Sequence, residues 1–124
     1  MGVFAALAGK RTERQVSGQA GEDAALAHLA ANGLQLVERN FRCKGGEIDL
    51  IMQERGVLVF VEVRKRADGR YGGAAASVTP RKQARLVLAA HVFLQRYTMP
   101  PACRIDVVAI DGTRLTWLKN VIDA

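Results

Sequence analysis

The sequence predicts an α/β fold, a mixed β-sheet flanked by helices in the order α-β-β-β-α-β-β. Three observations lead there. A helical stretch opens at Ser17 and stops at Asn32-Gly33. Three strand-like runs separated by short turns follow it. A second helix, bounded by Thr79-Pro80 and Met99-Pro100-Pro101, then returns the chain to two further strands. A meander, a crossover helix and a returning strand require a mixed sheet with helices packed on its faces.

Each element has its own local reason. Residues 1–16 show no hydrophobic period and end in the basic stretch KRTERQV, so they read as a flexible basic N-terminal arm ahead of a domain at 17–124. Ser17 is a suitable N-cap and Asn32-Gly33 a suitable stop, with Glu22, Leu26 and Leu29 spaced as one core-facing stripe. Leu34 to Arg42 reads as a strand with Leu34, Leu36 and Phe41 inward. Gly45-Gly46 then turns the chain into a strand over Glu47 to Met52. After a turn at 53–56, the run VLVFVEV within Val57 to Lys65 predicts a central strand buried on both faces. Ala67 to Ser77 is glycine-rich and predicts a flexible loop. Thr79-Pro80 supplies an N-cap and a first-turn proline for a helix to about Tyr97. RIDVVAI and RLTWL are strands joined at Asp111-Gly112.

Bulk properties narrow the function classes. With 124 residues, 49% hydrophobic and 24% charged, the chain has the composition of one ordinary globular domain. Eighteen Lys and Arg face 12 Asp and Glu, a net charge of +6 that favours polyanionic partners, nucleic acid first among them. The 2 Cys and 2 His lack the spacing of a disulfide framework or a zinc site. The apolar run VFAALA is short for a secretory signal and its basic residues follow it rather than precede it. No window approaches a membrane span, so the expectation is a cytoplasmic protein with no membrane partner and with a homodimer left open.

The residues with chemical potential are two carboxylates on consecutive strands, Asp49 in GGEIDLIM and Glu62 in VLVFVEVRKR. A lone carboxylate among Ile, Leu, Val and Phe is costly to bury. Two that converge can hold a hard cation, so Asp49, Glu62 and the carbonyl of Val63 are candidate ligands for Mg²⁺ or Mn²⁺. Strand alternation places Glu47, Asp49 and Ile51 on one face, opposite Ile48, Leu50 and Met52. It places Leu58, Phe60, Glu62, Arg64 and Arg66 together and turns Lys65 away. Arg64 can fork onto a phosphate beside the metal and stabilise charge developing there. Glu22 is either a third ligand or a first-turn acid complementing the helix dipole. Salt bridges to Arg39, Arg42, Arg66 or Arg104 are the structural alternative for the acids. Arg81, Lys82 and Arg85, with Arg66, form the candidate surface for gripping a nucleic-acid backbone.

The segments GQAGEDAALAHLAANGLQLVERNFRCKGGEIDLI, VFVEVRKR, YGGAAASVTPRKQ and CRIDVVAI resemble the YraN family of small bacterial proteins, in order and from about Ser17 to the C-terminus. That family resembles archaeal Holliday-junction resolvases of the PD-(D/E)XK nuclease superfamily. The resemblance implies a restriction-endonuclease-like core and Mg²⁺-dependent phosphodiester hydrolysis on DNA. By it Asp49 matches the motif aspartate, Glu62 the (D/E) position, and Glu22 the helix glutamate of the resolvase-like branch. Arg64 occupies the position usually held by lysine. Arg keeps the charge but does not act as a general base, which leaves Lys82 as another source of an amine. Three readings follow: a metal-dependent nuclease on structured or branched DNA, a non-catalytic nucleic-acid-binding module, or a structural protein with salt-bridged acids.

Overall fold

Among the described residues, five strands pair in sequence order to form one sheet, and one of the four pairings is parallel. The computed structural model describes residues 13–69 and 72–123. Its elements are α1 (Glu13–Ala31), β1 (Gln35–Cys43), β2 (Gly46–Glu54), β3 (Val57–Arg66), α2 (Gly73–Ala76), α3 (Pro80–Leu94), β4 (Cys103–Asp111) and β5 (Arg114–Ile122). β3 and β4 run parallel, and the crossover between them carries α2 and α3. The α/β class and the predicted order therefore hold, with the short α2 added. Among the described residues no helix is long and apolar enough to cross a membrane.

The sheet is buried on both faces. On one side Leu86, Ala89, Ala90 and Phe93 of α3 pack against Ile48, Ile51, Leu58, Phe60, Ile105 and Val107. On the other, Ala25 and Leu29 of α1 pack against Leu50, Met52, Val59, Val61, Val108 and Ile110. β3 alternates between the two cores as a central strand should. α3 is capped as the sequence predicts: the Thr79 side chain accepts from Lys82 N at 3.3 Å, and Pro80 opens the first turn.

Four local expectations change. α1 is already helical at Glu13, so Ser17 lies inside it and is no cap; Glu13, Arg14 and Gln15 are adequate helix formers and continue the helix upstream. Residues 1–12 of the expected arm lie outside the described residues. The buried stripe of α1 runs through Gly21, Ala25 and Leu29; it keeps Leu29 of the predicted line but takes Gly21 and Ala25 in place of Glu22 and Leu26, so Glu22 flanks the core. Leu36 is 45% exposed because a bulge between Leu36 and Glu38 shifts the alternation of β1, an edge strand. The 67–77 segment contains α2, with Gly73, Ala74 and Ser77 buried, rather than an unstructured loop throughout.

A buried carboxylate secures the far end of the sheet. Asp106 is 0% exposed and stands where the β4–β5 register shifts between Ile105 and Val107. Its oxygens accept from Arg104 Nε at 3.1 and 3.3 Å, Trp117 Nε1 at 2.9 Å and the Asn120 backbone N–H at 2.8 Å. Arg104 also donates to Glu54 at 3.2 Å, tying β4 to the end of β2. Removing one member of such a network strands the others. Asp106→Ala should therefore cost about 3–5 kcal/mol, measured by urea unfolding.

α3 lies so close to the start of β2 that Gly46 is obligatory. A Cβ there would run into the carbonyl oxygen of Arg85, with Ala89 behind it at 3.1 Å. Gly46→Ala should destabilise by roughly 1–3 kcal/mol, the usual cost of overpacking. Gly18→Ala in α1, where an added Cβ meets nothing within 4 Å, should be neutral or stabilising by up to about 1 kcal/mol. Denaturant melts of the two variants test the pair.

Candidate active site

The site forms where β2 and β3 stop pairing. Their antiparallel register runs from Glu54↔Val57 to Leu50↔Val61 and ends there, one step before Asp49 would oppose Glu62. In place of a ladder bond, the Val63 backbone N–H donates to Asp49 Oδ2 at 2.8 Å. The side-chain alternation of β2 breaks at the same point. Ile48 and Ile51 enter the α3-side core, whereas Leu50 and Met52 enter the other. The expected common face for Ile48, Leu50 and Met52 is therefore corrected. A regular strand cannot put residues three apart on one side, so the backbone departs from strict pleating around Asp49.

This departure brings the two acids together. Asp49 and Glu62 are partly buried and lie close enough for each to act on the other's ionisation. Glu62 is pushed up to about 9, first by burial and then by the neighbouring Asp49 charge, with Arg64 opposing. Asp49 is also raised, mainly by burial; the Val63 N–H favours its ionised form. Asp49 is accordingly the better anion of the two. The ion pairs formed among the described residues use Glu22, Asp23, Glu38, Glu54 and Asp106, and neither Asp49 nor Glu62 takes part in them. Arg39 and Arg104, two of the cations named as salt-bridge alternatives, are engaged with those other acids.

Glu22 stands apart from the pair. It is close enough to feel the Asp49 charge, and burial and that charge raise its pKa. Its carboxylate, however, accepts from Arg39 at 3.5 Å, and the Asn40 side chain also favours its ionised form. Asn40 has φ 53°, a left-handed conformation in β1 that asparagine tolerates. No group of three His, Cys, Asp or Glu side chains among the described residues is arranged to hold a metal ion. Two neighbouring carboxylate donors nevertheless fit Mg²⁺, which commonly binds one or two carboxylates and completes its shell with water and phosphate oxygens.

Glu62 opens onto a cleft of about 360 Å³ lined also by Glu47, Arg64, Thr79, Arg81, Lys82 and Arg85, and Asp49 lies behind it, outside the lining. Arg81 and Arg85 are one turn apart on α3 and share the cleft wall, as their spacing predicts. Arg66 lines a neighbouring cavity of about 550 Å³ with Asp68, Gly73, Ser77, Thr79 and Lys82. Lys65 points to the opposite face, where its side chain approaches Gly21 of α1. Arg64 Nε donates to Ser77 Oγ at 2.9 Å, and that hydroxyl donates to Ala74 O at 2.6 Å. Sequence reasoning missed Ser77 and Thr79 as parts of the site. Thr79 carried a signal only as a cap, and Ser77 sits at the end of a glycine- and alanine-rich run with no period.

Comparison with known proteins now places the chain. The sequence profile of the uncharacterised protein family UPF0102 matches residues 21–110. The chain belongs to that family. A UPF0102 protein of Herminiimonas arsenicoxydans is 69% identical over 114 residues, covering 92% of both chains. One from Janthinobacterium sp. (strain Marseille) is 62% identical over 114 residues, covering 92% of this chain and 93% of the relative. One from Acidovorax sp. (strain JS42) is 58% identical over 118 residues, covering 92% and 89%. This is the YraN family that the motifs resemble. The segment matched by the UPF0102 profile contains Glu22, Asp49, Glu62, Arg64 and the α3 cations.

The acid pair has a measurable cost. A carboxyl raised by burial favours folding while protonated. That contribution is complete below the ordinary glutamate value of 4.5 and is lost as pH rises toward about 9. Glu62→Gln should therefore raise stability at pH 8–9 by roughly 1–3 kcal/mol and flatten the decline between those limits. Thermal melts from pH 5 to 9 measure both; equal pH dependence in wild type and variant contradicts the pairing.

Proposed function

We propose that this cleft is the active site of a Mg²⁺-dependent nuclease acting on structured or branched DNA. One observation carries the reading: Glu62, with Asp49 beside it, opens onto a cleft whose wall carries Arg64, Arg81, Lys82 and Arg85. A metal-dependent phosphodiesterase needs this juxtaposition, with hard oxygen donors on one side and phosphate-binding cations on the other. The net charge of +6 and the resemblance to resolvase-like nucleases support it.

Asp49 and Glu62 would hold the ion, with the Val63 carbonyl as a further donor and Glu22 joining only by leaving Arg39. Bound there, Mg²⁺ would polarise the scissile phosphate and make water more acidic. Arg64 stands beside Glu62 and binds a non-bridging phosphate oxygen, neutralising charge as it develops. It does not take a proton from water. Arg81, Lys82 and Arg85 hold the backbone on the α3 side, and Arg66 extends that grip toward the neighbouring cavity. A non-catalytic nucleic-acid-binding module is the second reading. It is favoured by arginine at the motif's lysine position and by two gathered acids rather than three.

Purified protein incubated with branched and single-stranded DNA in Mg²⁺ or Mn²⁺ separates the readings. Wild type should cut, Arg64→Lys should retain or raise activity, and Arg64→Ala should lose it. Glu62→Gln should fall by at least about 100-fold with binding largely kept. Binding without cleavage by both wild type and Arg64→Lys would leave the binding module. Replacing Arg81, Lys82 and Arg85 together by Ala should weaken binding to all sequences alike and flatten its salt dependence.

A further inference from the structure

We infer that Ser77 is a positioning residue for an anion-binding Arg64, and that the short α2 is the strut that holds it. The inference rests on the reading of the cleft as a phosphate site. Arg64 reaches the cleft from β3 on a long side chain that loses considerable rotamer freedom when fixed. Its Nε donates to Ser77 Oγ at 2.9 Å. A guanidinium held by Nε keeps both Nη groups for a two-pronged grip on a tetrahedral anion.

The hydroxyl is itself fixed. Ser77 is buried, and its Oγ donates to Ala74 O at 2.6 Å, so its oxygen lone pairs are directed at Arg64. α2 is anchored in turn to the end of β4, where Asp111 Oδ1 accepts from Ala74 N at 2.7 Å. Gly73 permits this approach: it has φ 71°, and a Cβ there would stand 2.6 Å from Asp111 Oδ1. The chain of bonds from Asp111 through Ala74 and Ser77 to Arg64 thus crosses from β4 to the cleft. A glycine- and alanine-rich segment that reads as slack in sequence instead sets the orientation of the phosphate-binding arginine.

The test follows the Arg64 Nε–H by ¹⁵N NMR of the full chain, assigned with Arg64→Lys. In wild type this proton should exchange slowly, and it should shift on titration with inorganic phosphate. Ser77→Ala should make its exchange fast and raise the phosphate concentration needed by roughly tenfold, the counterpart of one lost hydrogen bond. Ser77→Thr, which keeps the hydroxyl, should restore both. Melting of each variant accompanies the measurement, since a purely structural role would move stability without a hydroxyl-specific rescue. A fast-exchanging Nε–H in wild type overturns the inference whatever the variants do. So does a phosphate response unchanged by Ser77→Ala, or absent in wild type. Failure to cleave DNA with these NMR results intact would defeat the nuclease reading and leave the positioning role standing.

Discussion

The hydrogen bond from the Val63 backbone N–H to Asp49 Oδ2 is the constraint on which the site depends. Two central strands of a well-packed sheet ordinarily continue their ladder, because an unpaired buried N–H costs about as much as a lost hydrogen bond. Here a side-chain oxygen replaces the carbonyl partner. β2 and β3 can therefore part after Leu50↔Val61 with the Val63 donor still satisfied. Parting the strands lets Asp49 and Glu62 meet and opens the space that α3 lines with cations. One acidic side chain thus replaces a ladder bond and helps form the cleft.

Among the described residues, two acidic centres have opposite economies. Asp106 is surrounded by donors from Arg104, Trp117 and Asn120 and closes a bulge between β4 and β5. Its charge is matched and its role ends with the fold. Asp49 and Glu62 are under-supplied with donors: burial raises both, the Asp49 charge raises Glu62 further, and the Val63 N–H at Asp49 and the Arg64 charge are among the few influences that oppose. Acids held in this state bind a cation or share a proton. Strain of this kind, kept by a rigid surround, is characteristic of places where proteins do chemistry.

The surround is built from close backbone approaches. Gly46 lets α3 press against the first residues of β2, which sets Arg81 and Arg85 opposite Glu47 and Glu62. Gly73 does the same for α2 and Asp111. Neither glycine touches the cleft through a side chain, since it has none. Each permits an element to come near enough for its neighbours to act.

Much was legible from local pattern. Val57–Arg66 as a strand buried on both faces, Thr79-Pro80 as a helix start, the element order and the pairing of Arg81 with Arg85 all follow from short-range rules of period, cap and spacing. So does the placement of Asp49 and Glu62 on neighbouring strands. What failed was what local pattern does not encode. Leu36 turned outward because of a bulge at Val37. Ile48 and Ile51 share a core because the pleat breaks at Asp49. Ser17 was passed over as a cap because helix formers precede it. The α2 strut was invisible because GAAAS is defined by its bonds to Asp111 and Arg64, residues distant in the chain. Sequence by itself determined the fold class, the order of elements and which side chains could carry chemistry, since these depend on near-neighbour periodicity. Tertiary structure alone decided which acids meet, that Glu22 goes to Arg39, and what steadies Arg64. Those outcomes depend on backbone departures from ideal geometry and on partners brought together only by packing.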